Sequence, residues 1–178
     1  MIPFCQIADS FIDSATLAKS QESVRPDQPL TLSLSFRIQG SIREAFFQKN
    51  WERAYNKHDK GFLVKIEIDL KSGRRRIALI KLVRKAALFW TRNPKIPYRI
   101  WVSIVKDDTP FYPLTEEEAK SLLFDVNKVI ELKGSDLNSG THKLYTDIKV
   151  SWGKHVYTQP NEIKGRSNDI ELMRVATQ

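Results

Sequence analysis

"PLTEEEAKSLLFDVNKVIELKG", residues 113–134, can be read as one long helix or as a short helix followed by a strand, and the choice decides the fold class. Thr115 with Glu118 forms a capping box, in which the hydroxyl and the carboxylate each satisfy a backbone N–H left unpaired at a helix start. Glu116, Glu117 and Glu118 sit at the positive end of the helix dipole, and Leu114 can staple onto Ala119. Ala119, Leu122, Leu123, Val126, Val129 and Ile130 would carry an apolar helical stripe on to about Leu132. Against this, "FDVNKVIEL" is rich in β-branched residues, which suit a pleated strand better than a helix. The reading favoured is a helix over 115–122 and then a strand.

The residues downstream supply the reason. In "SDLNSGTHKLYTDIKVSWGKH" (135–155), His142, Leu144, Thr146, Ile148, Val150 and Trp152 fall on one side. Lys143, Tyr145, Asp147, Lys149 and Ser151 fall on the other, which predicts a long strand entered through a turn at Gly140. The pattern Leu137-x-x-Gly140-x-His142-x-Leu144 resembles the corner before the penultimate strand of immunoglobulin-like sandwiches, where the chain passes from one sheet to the other. His142 stands where that pattern often has Tyr, and the inter-sheet cysteines are missing. The resemblance implies a sandwich and no particular activity.

Working upstream, "PLTLSLSFRI" (29–38) alternates Leu30, Leu32, Leu34, Phe36 and Ile38 against Thr31, Ser33, Ser35 and Arg37, a strand with one wet face. After Gly40, Ser41 and Glu44 form a second capping box, and Phe47, Trp51, Ala54 and Tyr55 recur at helical spacing up to Gly61. "FLVKIEIDL" (62–70) alternates again, and Gly73 supplies the positive φ of a tight hairpin turn. "IPYRIWVSIV" (96–105) is a further strand bracketed by Pro94 and Pro97. The tail offers short strands in "HVYTQP" and "NDIELMRVA", separated by "NEIKGRS", which reads as a polar loop. Together these predict a mainly β chain, an immunoglobulin-like β-sandwich with one or two inserted helices, with α+β as the alternative.

No repeat or composition break divides residues 1–178, and a chain of 178 residues suffices for one packed core, so a single globular domain is expected. The lone cysteine, Cys5, excludes an internal disulfide framework and any multi-cysteine zinc site. The first residues, "MIPFCQIADSFIDSATLAKSQ", lack the basic and apolar regions of a secretory signal, and no window has the roughly 20 uncharged apolar residues of a transmembrane segment. A cytoplasmic location is the resulting expectation.

Catalytic and metal-binding signatures are missing. The seven glycines are too scattered for a phosphate-cradling loop, and there is no G-x-S-x-G or H-E-x-x-H. His142 and His155 bracket a strand and would lie roughly 40 Å apart in extended chain, too far to share a metal, while His58 reads as a solvated helix-end residue. Glu116 to Glu118 are explained by capping, and Asp125, between Phe124 and Val126, is the acid whose burial is worth checking. No catalytic residue, metal ligand or cofactor is therefore assigned.

Charge is the more informative property. The net charge is +8, yet residues 62–106 carry twelve Lys or Arg against Glu67 and Asp69, a local +10, while the remaining seventeen basic and nineteen acidic residues sum to −2. "GRRRIALIKLVRKAALFW" (73–90) holds no acid. It can be read as an amphipathic helix, or as a hairpin strand over 75–83, a break at Arg84 and Lys85, and a further strand beginning at Ala86. The Gly73 turn and the flanking strands favour the second. Basic residues at turns and sheet edges can simply deter strand addition. The same residues interleaved with Trp90, Tyr98 and Trp101 could instead hold a macromolecular partner. The candidate partner-binding residues are Arg74, Arg75, Arg76, Lys81, Arg84, Lys85, Arg92, Lys95, Arg99 and Trp101. The function expected is a non-enzymatic binding module for an acidic macromolecule, protein or nucleic acid, with single-stranded nucleic acid binding and an unrecognised enzyme as alternatives.

Overall fold

In "PLTLSLSFRIQ" every second residue from Leu30 to Ile38 is buried and Thr31, Ser33, Ser35 and Arg37 are exposed, so this strand lies flat on a core. The computed structural model describes residues 10–40, 42–43, 62–90, 98–105, 112–114, 116–153 and 161–176, with backbone alone at 62–63, 85–90, 98–105, 112–114, 116–117, 119, 153 and 161. Its strands are β1 (Phe11–Lys19), β2 (Ser23–Val24), β3 (Pro29–Gln39), β4 (Phe62–Ser72), β5 (Arg75–Trp90), β6 (Tyr98–Val105) and β7 (Tyr112–Leu114). The helix α1 (Glu116–Phe124) follows, then β8 (Asp125–Lys133), β9 (Gly140–Gly153), β10 (Asn161–Arg166) and β11 (Ile170–Arg174).

Two sheets result. The smaller has the order β1-β3-β8, and the larger runs β2-β11-β9-β4-β5-β6-β7, with β10 also paired to β9. Their inner faces meet in one continuous apolar cluster: Leu32, Leu34, Phe36 and Val126 from the small sheet against Ile66, Ile68, Ile148 and Val150 from the large one. Each such side chain contributes about 1.5–3 kcal/mol when fully removed from water, which is the force that holds the sheets face to face. The molecule is thus a mainly β, two-sheet sandwich carrying one short helix among the described residues.

The stretch that decided the fold class folds as a helix followed by a strand. Residues Glu116–Phe124 are helical, two residues beyond the expected end, and Asp125–Lys133 then pairs antiparallel with β3 from Lys133↔Pro29 to Asp125↔Arg37. Leu123, Phe124 and Val126 are all buried, so the helix-to-strand change happens inside the core edge, where the partner strand β3 outweighs helical continuation. After β8 a short turn seats Leu137, 1% exposed, in the core, and the chain passes from the small sheet into β9 of the large one.

Three expectations need correction. First, β5 is one unbroken strand of 16 residues, with no interruption at Arg84 and Lys85. It stays extended because it changes partners along its length: β4 covers it from Arg75 to Ala86 and β6 from Val83 to Trp90. Second, "NEIKGR" is a strand, not a loop; Ile163 turns inward while Glu162, Lys164 and Arg166 face out, and Gly165 lies where a Cβ would come within 2.9 Å of the Ile12 side chain. Third, Phe11–Lys19 forms β1, a strand the sequence reading did not anticipate. Its alternation is irregular because a bulge between Asp13 and Thr16, with Ser14 at φ 55°, shifts the register. The hairpin at Gly73 is as expected: Ser72 pairs with Arg75 and Gly73 has φ 59°. Of the helix expected after Gly40, Ile42 and Arg43 are helical, and the rest lies outside the described residues, as do Cys5, His58, His155, the Thr115 cap and "HVYTQP".

Candidate binding face

The inward alternation of β4 and β9 leaves their other side chains on the outer face of the large sheet, where β10 and β5 flank them. Read across from β10 to β5, one row holds Lys164, Lys149, Glu67 and Lys81. The next holds Arg166, Asp147, Asp69 and Leu79, and a third holds Tyr145, Lys71 and Arg76 on β9, β4 and β5. Six cations and three acids therefore share a patch about four strands wide, at roughly 4.8 Å per strand. A shallow trough of about 420 Å³ runs over it, lined among others by Glu67, Asp69, Arg76, Leu79, Lys149 and Lys164.

The acids are central and already engaged. Arg76 grips Asp69 through two parallel bonds, Nε to Oδ1 at 2.9 Å and Nη2 to Oδ2 at 3.0 Å, the bidentate geometry that suits a carboxylate best. Lys71 lies 2.9 Å from Asp147 and 3.9 Å from Asp69, and Lys149 lies 3.4 Å from Glu67. The hydrogen bond to Asp147, helped by the negative charges of Asp147 and Asp69, raises the Lys71 ammonium above its ordinary value of 10.5. The Asp69 hydrogen bond raises Arg76 in the same way. On the flank, the Arg166 guanidinium stacks 3.7 Å above the Tyr145 ring, whose hydroxyl donates to Gly73 O at 2.6 Å. Lys164 and Lys149 stand directly opposite each other, each beside an acid of its own, Glu162 at 3.8 Å and Glu67 at 3.4 Å.

The residues singled out from sequence distribute unevenly over this face. Arg74 and Arg75 are exposed at the tip of the β4–β5 hairpin, Arg76 lies in the patch, and Lys81 is exposed beside Glu67. Arg84 is not on the face at all: it is 6% exposed and turns inward, its Nη1 donating to Asp125 O at 2.8 Å and Leu123 O at 3.4 Å. Arg92 and Lys95 lie outside the described residues, as do the side chains of Lys85, Arg99 and Trp101. Lys71, Lys149, Lys164 and Arg166 were missed. The outward alternation of β4 and β9 carried the signal for Lys71 and Lys149, but Lys164 and Arg166 join the patch only through the pairing of β10.

Asp125 proves to be half-buried and bound: Arg43 Nη1 donates to its Oδ1 at 2.8 Å and Ser121 Oγ to its Oδ2 at 3.2 Å. His142 is held at both ring nitrogens, 2.6 Å from Asn138 O and 2.7 Å from Ser72 Oγ. A carbonyl only accepts, so Nε2 carries a proton and donates to Asn138 O, while the Ser72 hydroxyl, which can donate or accept, pairs with Nδ1. Neither residue lines the trough. Among the described residues no group of three or more His, Cys, Asp or Glu side chains could hold a metal ion, and no helix is long and apolar enough to cross a membrane.

No protein-family model and no curated protein matches the chain. Among solved structures it is similar to AggA, the major subunit of aggregative adherence fimbriae type I from Escherichia coli, at 10% identity and a TM-score of 0.33, over 90% of this chain and 94% of that one.

Proposed function

We propose that the chain is a non-enzymatic binding module, an immunoglobulin-like sandwich whose large sheet and basic hairpin contact an acidic macromolecular partner. The observation that carries this reading is the imbalance of the outer face. Its three acids are taken up by neighbouring cations, while Arg74, Arg75 and Lys81 form no ion pair among the described residues. Cations at the end and rim of a sheet whose acids are already neutralised leave a net positive field for an incoming polyanion. The sandwich supplies a rigid platform, and the crossing at Leu137 and Gly140 supports its immunoglobulin-like character.

Retention on immobilised poly-glutamate tests the proposal. Wild type is expected to elute at clearly higher salt than the triple variant Arg74→Ser, Arg75→Ser, Lys81→Ser, because each exposed charge adds to a screened, long-range attraction. Identical elution of the two proteins, with both shown folded by circular dichroism, overturns it.

A further inference from the structure

β5 is 16 residues long, and its two edges are covered to different extents. On one side β4 pairs with it from Arg75 to Ala86; on the other, β6 pairs only from Val83 to Trp90. The stretch Arg75–Leu82 therefore presents a backbone edge that no strand among the described residues occupies, about 26 Å long at the rise of an extended chain. Open edges of this length bind other strands unless something prevents it.

The side chains along this edge define what it accepts. Leu79 is 39% exposed, and Ile77 and Ile80 are half-buried, so the edge carries apolar surface on both sides of the sheet. Arg74, Arg75 and Lys81 add positive charge at both ends of the stretch, and no acid occurs between Gly73 and Trp90. A second copy of the same edge would bring these cations against one another, which like-charge repulsion disfavours. The charges that exclude self-pairing select an acidic strand.

We infer that the Arg75–Leu82 edge of β5 is a docking site for an extended acidic segment of another protein, which adds to the large sheet as a strand. Its backbone pairs with β5 in line with β6, its alternate apolar residues cover Ala78 and Ile80 on the inner face, and its carboxylates meet Lys81 on the outer one. This rests on the binding-module reading above and deepens it, since it names backbone pairing as the mode and a peptide as the ligand.

The test uses the full chain and a fluorescent ten-residue peptide alternating Asp and Val, compared with the same peptide N-methylated at every backbone amide. The two probes carry the same charge, but only the first can complete a β-ladder. Fluorescence anisotropy is expected to show at least about tenfold weaker binding of the methylated peptide, since several backbone bonds are lost at once. Lys81→Ser, at an exposed position, is expected to weaken the unmodified peptide about threefold or more. Equal affinity for the two peptides overturns edge pairing and leaves the charged-face reading standing. Failure of both peptides to bind while poly-glutamate is retained does the same. Loss of poly-glutamate retention as well removes both, and tighter binding of oligo-deoxythymidine than of the peptide overturns a peptide ligand in favour of nucleic acid.

Discussion

Arg84 sits in the basic run of β5, yet its guanidinium lies in the interior, bonded to the carbonyls of Leu123 and Asp125. Those carbonyls lie where α1 gives way to β8, and a helix end leaves its last carbonyls without intrahelical partners. Arg84 thus fastens the small sheet's helix-to-strand junction to the large sheet. Arg84→Met is expected to lower stability by about 3 kcal/mol in urea unfolding, because charged donors are lost and buried carbonyls are left behind. The same variant should bind poly-glutamate as wild type does in its folded state. A surface role for Arg84 would instead give unchanged stability and weaker binding. From sequence, Arg84 and Lys85 read as a break after the strand over 75–83 and Arg84 as a surface cation; only the carbonyls waiting inside turn it inward.

At the scale of elements, β10 and β11 both pair with the same edge of β9, separated by a kink at Ser167 to Asp169. Ser167 is buried and keeps the ladder through its backbone N–H to Thr146 O at 3.0 Å, while its hydroxyl accepts from Thr146 N at 2.9 Å. The kink aims Asn168 across to the other sheet, where its Oδ1 accepts from Leu17 N at 2.7 Å and its Nδ2 donates to Leu17 O at 3.0 Å. One side-chain amide therefore takes the place of a strand partner for Leu17 and ties β1 to the large sheet 151 residues away. Asn168→Ala is expected to cost about 2 kcal/mol, two hydrogen bonds at part-buried sites, and to speed amide exchange at Leu17 in hydrogen-exchange measurements. Unchanged protection there would show that pairing with β3 and apolar packing hold β1 without the amide. "NEIKGRS" looked like a loop because Gly165 and its charges break the strand signal; Gly is required by the approach of Ile12, and the charges face water.

For the whole molecule, the core joins side chains from both sheets in one cluster, so neither sheet has an interior of its own. Leu34→Ala in the small sheet and Ile68→Ala in the large one are each expected to lower stability by about 2–5 kcal/mol within a single transition, coincident by far-UV circular dichroism and tryptophan fluorescence. Separate transitions for the two variants would mean that the sheets fold independently. The strands with strict alternation, Leu30 to Ile38, Val64 to Leu70 and Leu144 to Trp152, were legible from the chain alone, because a sheet with one wet face writes a period of two into its residues. So were the Gly73 hairpin, the helix-to-strand change near Phe124 and the local excess of positive charge. Which cations share a face was not legible, since cross-strand neighbours are set by pairing between segments as distant as Lys81 and Lys164, joined only through β4 and β9. Tertiary structure alone also turned Arg84 inward, made a strand of Asn161–Arg166 and left half of one edge of β5 uncovered by any strand among the described residues. Local sequence determines how a segment alternates, whereas strand partners, and with them surface and edge, follow from the burial of both sheets in one core.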